Sequence, residues 1–418
     1  MTGTNLTVRP DELVRFETAF REVATGTDDL AFREQGYHLL MGDSLNLPRT
    51  RQFASWSEVI AATEALDRVA LPLDLRTKRY IAGMLHAFHT FARVRAGSRL
   101  TYLEQVEAYL ELRDIWIPDA ELESLRTRLG ELLAHAGYSD DLEQGLRTWE
   151  RTRAVPTDRI VSRCTPILEA AKRDSLACGI PVPDRVAVDV VVLSSPYYAY
   201  AHYHGDYRGT VELTSDLLWT EEALKHSICH EAFPGHQASA SSKEWAIQHG
   251  TWSALALPSL ANTPVSPIVE GVAENGPEML GWKKTLDDEL FSTFNSLLFG
   301  VRTNAAILRH QHGEPRQQVI AYMMREAGAR KDWAVYQEKF ITDPLWHTSF
   351  PHYWHGAQLI REARAQFRGR EKDLFKELYG HPQTTSTLRT FLDADAKNTA
   401  DISDDAPSSL TTDRGGQL

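Results

Sequence analysis

Cysteine is scarce in this chain: Cys164, Cys178 and Cys229 are the only three among 418 residues. So few, in odd number and without a secretory signal, exclude a disulfide framework, and all three are read as reduced. Long apolar runs are also missing. The longest, Val186 to Leu193, is interrupted by Asp189 and falls far short of the roughly 20 residues that cross a bilayer. The opening MTGTNLTVRPDELVRF has no basic stretch followed by an apolar run, so neither leader nor anchor is expected there, and the cytoplasm is the expected address. Nor is there a surplus of positive charge. Lys and Arg number 45 against 57 Asp and Glu, a formal net charge of -12, which argues against a phosphate backbone as partner. Neither nucleic acid nor a membrane is therefore an expected partner.

What is present is ample core material, 42% hydrophobic against 24% charged residues, enough for one large domain or two intimate ones. From Pro10 to about Leu176 apolar residues recur at helical spacing, as Tyr80, Met84, Leu85, Phe88 and Phe91 do, and strand-like alternation is absent. Cys178-Gly-Ile-Pro-Val-Pro-Asp then stops the helical pattern. The next segment, from Arg185 to Leu218, is rich in Val and Tyr, with Gly205 and Gly209 as turn points, and predicts two or three short strands. Helical periodicity returns at about Thr220. After a connection containing Pro258, Pro264 and Pro267 it runs from Gly271 to Gly300 and from Val301 to Ala329, with a final helix from about His355 to Tyr379. The expected fold is mainly α with a small sheet beside a motif helix. Residues 1–9 are expected to be flexible and 10–396 to form a single mostly helical unit, with 10–177 its helical half and 178–396 the half that carries the site. Residues 397–418, polar and rich in Ser, Thr, Asp and Gly, are expected to be a disordered tail.

The segment His230-Glu-Ala-Phe-Pro-Gly-His236 carries the chemistry. A hydrolytic zinc site needs three protein ligands, an open position for water and a carboxylate to take the water's proton. His230 and His236 supply two ligands and Glu231 the base. The familiar helical version spaces its histidines four apart, but these are six apart, roughly 600° of rotation on an ideal helix, which leaves the rings on nearly opposite sides. The helix must therefore break. Pro234 removes the hydrogen bond to the His230 carbonyl, and Gly235 tolerates the turn that brings His236 back. A rival pair, His226 and His230, is four apart and needs no distortion.

The sequence here resembles the bacterial domain-of-unknown-function family 885, whose pattern HExxPGH is matched at every fixed position by HEAFPGH. The resemblance extends to Val269-Glu270-Gly271, at the place of the family's Glu-Gly pair, and to Tyr353, Gly356, Ile360 and Arg364 in YWHGAQLIREAR, with a looser match at Arg208-Gly-Thr210. It implies a zincin-like metallopeptidase in which Glu270 is the third ligand and peptides are the default substrate. The chain departs from the pattern at Gln237, where a second His is common, and at Val272 and Asn275, where aromatic residues are usual.

On this reading one divalent ion, zinc by preference, is held by His230, His236 and Glu270. Glu231 takes the proton from water and passes it to the leaving nitrogen, and the Tyr353 phenol meets the developing oxyanion. Glu274, one turn beyond Glu270, would orient a ligand. Arg364, Tyr203, His204 and Arg208 are the candidate substrate-binding residues. Each has an ordinary alternative: a helix-start carboxylate for Glu270, a core phenol for Tyr353, an ion-pair residue for Arg364, and packing against helices for the Tyr and His cluster from Tyr197 to His204. The expected substrate is a peptide or a small amide. Two further readings stand beside it: a metal-dependent enzyme acting on a non-peptide small metabolite, by C-N bond hydrolysis or by elimination, and a metal-stabilised binding protein without turnover.

Overall fold

The computed structural model describes residues 11–41, 47–69, 73–139, 141–195, 197–256 and 260–404; the expected flexible segment 1–9, Pro258 and residues 405–418 lie outside them. The first part of the chain is helical, with one two-residue strand ahead of its last helix: α1 (Asp11–Gln35), α2 (Trp56–Asp67), α3 (Leu75–Arg95), α4 (Tyr102–Leu110), α5 (Asp119–His135), α6 (Leu142–Thr152) and α7 (Ile160–Cys178). Their starts are chemically marked. Asp74 and Asp141 accept backbone N–H groups at the heads of α3 and α6, and Thr101 and Glu104 form a reciprocal cap on α4, each satisfying donors that a helix start leaves open.

After Gly179 ends α7 in a left-handed conformation the chain turns to strands. β1 (Ala154–Val155) pairs antiparallel with β5 (Trp219–Thr220), while β2 (Ala187–Leu193), β3 (Ala199–Gly205) and β4 (Arg208–Thr214) form a three-stranded sheet of order β2-β4-β3. β2 runs parallel and β3 antiparallel to the central β4, which leaves β3 at an edge. Gly205 turns the chain, as expected, with φ near +77°. Gly209 does not: it lies inside β4, where the Gln237 side chain occupies the space a Cβ would need.

The rest is helical: α8 (Glu221–Glu231), α9 (His236–Gln248), α10 (Ser266–Glu274), α11 (Gly276–Met279), α12 (Leu286–His310), α13 (Arg316–Ala327), α14 (Lys331–Ile341), α15 (Phe350–Gln366), α16 (Glu371–Gly380) and α17 (Thr385–Asp404). The fold is thus mainly α with a small sheet, as the periodicity predicts. Several boundaries differ. The stretch expected as one helix from Gly271 to Gly300 is cut at Gly281, the next ends at His310 before Gly313, and the last is cut at Gly369; all three glycines have positive φ. The expected tail begins as helix, because α17 continues to Asp404, anchored by buried Leu388 and Leu392.

Three large apolar clusters fill the interior. One joins α1–α3, a second joins α4–α6 to α12–α14, and the third packs the sheet residues Val211 and Leu213 against Leu224 and Ile228 of α8, with Ile268 and Ile360 beyond. Each fully buried Leu or Ile in such a cluster stabilises by about 1.5–3 kcal/mol. The third cluster fixes the position of α8 between the sheet and α10.

Candidate metal centre

α8 starts on Thr220, whose Oγ1 accepts the Ala223 N–H at 3.1 Å, and it stops at Glu231. The chain then turns through Ala232 to Gly235 and begins α9 at His236 itself. The helix break that the Pro-Gly spacing predicts is complete, since the two histidines belong to different helices. Gly235 N–H donates to the Cys229 carbonyl at 3.0 Å, and a Cβ at position 235 would lie 1.8 Å from the His230 oxygen, so no side chain fits there. The Tyr379 hydroxyl holds the Pro234 carbonyl from the far side at 2.6 Å.

The break points the two imidazoles at each other: His230 Nε2 and His236 Nε2 lie 3.1 Å apart, with ring planes at 87°. Glu270, on α10, closes a triangle, its Oε2 3.3 Å from His230 Nε2 and its Oε1 3.7 Å from His236 Nε2. Tetrahedral ligation at the usual 2.0–2.1 Å bond length separates ligand atoms by about 3.3 Å, so these edges fit one ion. A further observation agrees: Glu270 Oε2 is buried without a hydrogen bond of ordinary geometry, an arrangement that is costly unless something binds there.

Glu274, one turn along α10, approaches His230 from behind. Its Oε1 lies 3.0 Å from His230 Nδ1 and its Oε2 3.2 Å from His226 Nε2, while Asn295 donates to the same carboxylate at 3.2 Å. Glu274 thus faces the Nδ1 edge of the ring as an ion-pair neighbour without a hydrogen bond of ordinary geometry there, and leaves Nε2 for the centre.

A helix crossing sets where Glu270 sits. α10 and α15 meet at two glycines: a Cβ on Gly271 would lie 2.3 Å from the Gly356 carbonyl oxygen, and one on Gly356 2.1 Å from that of Pro267. Asn275 fastens the crossing, donating to the Gly271 and Ala357 carbonyls at 2.8 and 3.1 Å. The Glu-Gly and Tyr-x-x-Gly segments noted in the sequence are therefore in direct backbone contact, which brings Tyr353 to the wall of the same cavity as Glu270.

That cavity, about 400 Å³, is lined by His230, Glu231, His236, Glu270 and Tyr353, together with Arg302 and His352. Glu231 accepts the Ala201 N–H from the edge strand; burial, aided by Glu270 and Glu274, raises it to about 7 against the pull of His230. Burial lowers His236 to about 4, His230 adding to the effect and Glu270 opposing it. Burial works against ionised Glu270, yet His236 and His230 together outweigh it and hold that carboxyl at about 2. His230 goes the other way, held above the ordinary imidazole range by Glu274 and Glu231 in spite of its burial. Burial and Glu270 raise the Tyr353 phenol, which keeps it protonated and able to donate.

The four expected substrate-binding residues divide. Tyr203 lines the cavity, but its hydroxyl is engaged by Glu244. His204 and Arg208 do not line it: both are exposed, His204 against Thr210 at 2.9 Å and Arg208 3.6 Å from Asp206. Strand alternation is the reason, since it points 202 and 204 away from the face that 203 presents. Arg364 is also off the cavity, donating to the Glu278 carbonyl at 3.1 Å, because it lies eleven residues beyond Tyr353 on α15. Among the cavity residues that the sequence did not single out, two stand beside Tyr353. Arg302 and His352 are a cation and an imidazole embedded in apolar helical patterns, and His352, with both ring nitrogens buried and unpartnered, lies against the Tyr353 ring. Their only signal was polarity at a position where helical spacing calls for core.

No family model matches the chain, and no curated protein matches it. Solved structures do share its fold. A "putative lipoprotein" from Colwellia psychrerythraea superposes with a TM-score of 0.57 at 14% identity, over 93% of this chain and 77% of that one. A "putative lipoprotein of unknown function" from Shewanella oneidensis superposes with a TM-score of 0.55, also at 14% identity, over 93% and 80%. At that identity the likeness establishes the fold alone. The expected cytoplasmic address is withdrawn, since it is at odds with the names of these neighbours, which belong to a membrane-anchored class. No helix among the described residues is long and apolar enough to cross a membrane.

Proposed function

We propose that this chain is a divalent-metal-dependent hydrolase, zinc being the metal, that cleaves an amide or peptide bond, in keeping with its resemblance to family 885. The observation that carries the reading is the convergence of His230 Nε2, His236 Nε2 and the Glu270 carboxylate on one point of a cavity wall, with Glu231 adjoining. These three residues would hold the ion, and their two imidazoles and one carboxylate suit zinc. An ion there supplies Lewis acidity, enough to make water a nucleophile near neutral pH.

Glu231, one residue after a ligand and held by the Ala201 N–H, takes the proton from the attacking water. It then delivers that proton to the leaving nitrogen as the C–N bond breaks. Tyr353 donates its phenol to the carbonyl oxygen as charge builds there. Glu274 keeps the His230 ring in place through Nδ1. The cavity, near the small end of the roughly 300–1,000 Å³ usual for ligand pockets, favours compact substrates. It therefore also supports the second reading, hydrolysis of a non-peptide C–N bond in a small metabolite, which substrate profiling separates from the first.

The test is Glu231→Gln in the zinc-loaded chain, assayed on short peptides and N-acyl amino acids. Metal content should be unchanged while turnover falls about 10²- to 10⁴-fold. Full turnover by the variant would refute the assigned base, and a wild type inert on every substrate would favour a binding protein without turnover.

A further inference from the structure

Arg302 is a cation set into the cavity wall on α12, and among the described residues it forms no ion pair with a carboxylate. Other partly buried arginines of this chain do: Arg126 with Glu326 and Arg153 with Glu222 are examples. Arg302 Nη1 donates to Gln337 Oε1 at 3.2 Å, its Nε is buried without a partner, and its guanidinium carbon lies 4.8, 5.2 and 5.1 Å from the ring centres of Phe299, Phe350 and Tyr353. An aromatic cradle steadies a cation. It does not satisfy a planar fork of donors whose geometry matches a carboxylate, and a buried charge left unpaired is costly. One of the rings holding Arg302 is that of Tyr353, the donor assigned to the scissile carbonyl, so an anion on Arg302 would sit close to the bond being cut.

We propose that Arg302 receives the carboxylate of the substrate, and that the substrates are compact amides bearing a free carboxylate near the scissile bond: the end of a short peptide or an N-acyl amino acid. This rests on the hydrolytic reading above. The cavity agrees with it: Tyr197, Tyr200, Phe340 and Trp346 line the remainder, an aromatic wall suited to one or two apolar side chains. Hydrolysis adds water across the amide, the hydroxyl to the carbonyl carbon and the proton through Glu231 to the departing nitrogen, and leaves the Arg302-bound carboxylate unchanged.

The experiment measures calorimetric binding of N-acetylphenylalanine and of its C-terminal amide to the metal-free and zinc-loaded full chain, as wild type, Arg302→Met and Arg302→Lys. The wild type should prefer the carboxylate about 10- to 100-fold in both forms, the range for a hydrogen bond to a charged group. Arg302→Met should lose that preference at unchanged zinc content, and Arg302→Lys should keep part of it. Equal binding of the two probes by the wild type, or an undiminished preference in Arg302→Met, would overturn the assignment. Should Arg302→Met fail to fold, Arg302→Lys decides alone: a preference reduced at least threefold supports the anchor, and an unchanged one rejects it. The same pair built on acetylglycylphenylalanine distinguishes a peptide end from an acyl amino acid, the tighter pair naming the source. Binding to the metal-free chain needs no turnover. A zinc-loaded wild type that prefers the carboxylate yet hydrolyses nothing would therefore remove the proposed reaction and leave the anchor standing.

Discussion

His226 and His236 both approach His230, one four residues before it and the other six after, and the chain uses them in opposite ways. On the outer side, where α8 is regular, Glu274 meets His230 at Nδ1 and His226 at Nε2, and Asn295 lies against both Glu274 and His226. That group borders a space of only about 40 Å³. On the inner side, where the helix is broken, His236 and Glu270 meet Nε2 with little else to satisfy them, at the wall of a cavity ten times larger. Regular spacing produced a packed support of His226, Glu274 and Asn295, and irregular spacing produced a set of ligand atoms that opens on the larger cavity. The four-residue spacing that looks more favourable in sequence also gathers three possible ligands, His226, His230 and Glu274, but it is the weaker candidate for the ion, because Asn295 already donates to Glu274 and little space adjoins the group.

This contrast can be broken in graded ways. The largest effect belongs to Glu270→Ala, which removes an inner donor: zinc affinity should fall well beyond that of any outer-side variant in a competition titration with a chromophoric chelator. Glu274→Gln comes next. It keeps the shape of the support but weakens its hold on His230, and affinity should drop about 10- to 100-fold; a loss equal to that of Glu270→Ala would erase the distinction between the two sides. Gly356→Ala attacks the crossing that positions Glu270. The new methyl group meets the Pro267 carbonyl, an overpacking that costs about 1–3 kcal/mol or more, so urea unfolding should shift to lower concentration and zinc should bind more weakly. Loss of stability at unchanged zinc affinity would separate the crossing from the site.

The smallest effect lies far from both groups. Burial first, then His310, holds His347 down at about 4. Its unfolded value is near 6.5, so between these values the unfolded chain binds more protons than the folded one. The resulting stability is full above about pH 6.5 and is lost as pH falls toward 4. Between pH 7.5 and 6 this histidine should contribute a loss of about 0.8 kcal/mol, and His347→Gln should show a shallower acid dependence in urea titrations. An equal dependence in the variant would show that His347 is not responsible.

The sequence made the inner group legible in part. Six-residue spacing with Pro234 and Gly235 required a helix break, and the break occurs between Glu231 and His236. Glu270 came only through the resemblance, since a lone Glu-Gly has no spacing that ties it to a site thirty-four residues earlier. Gly271 and Gly356 were visible as motif glycines but not as a pair, because their meaning is a backbone contact across 85 positions. Arg302 and His352 were hidden for a related reason. Periodicity records which face of a helix is buried but not whether that face meets core or cavity. The same averaging carried predicted helices across Gly281, Gly313 and Gly369, where a single left-handed residue ends each element.

The most direct test of the account is zinc content by elemental analysis on the purified wild type, His236→Ala and His226→Ala. The account predicts about one zinc per chain in the wild type and in His226→Ala, and none in His236→Ala. Zinc retained without His236 and lost without His226 would contradict it, moving the ion to the outer group and removing the basis for Glu231 as the base.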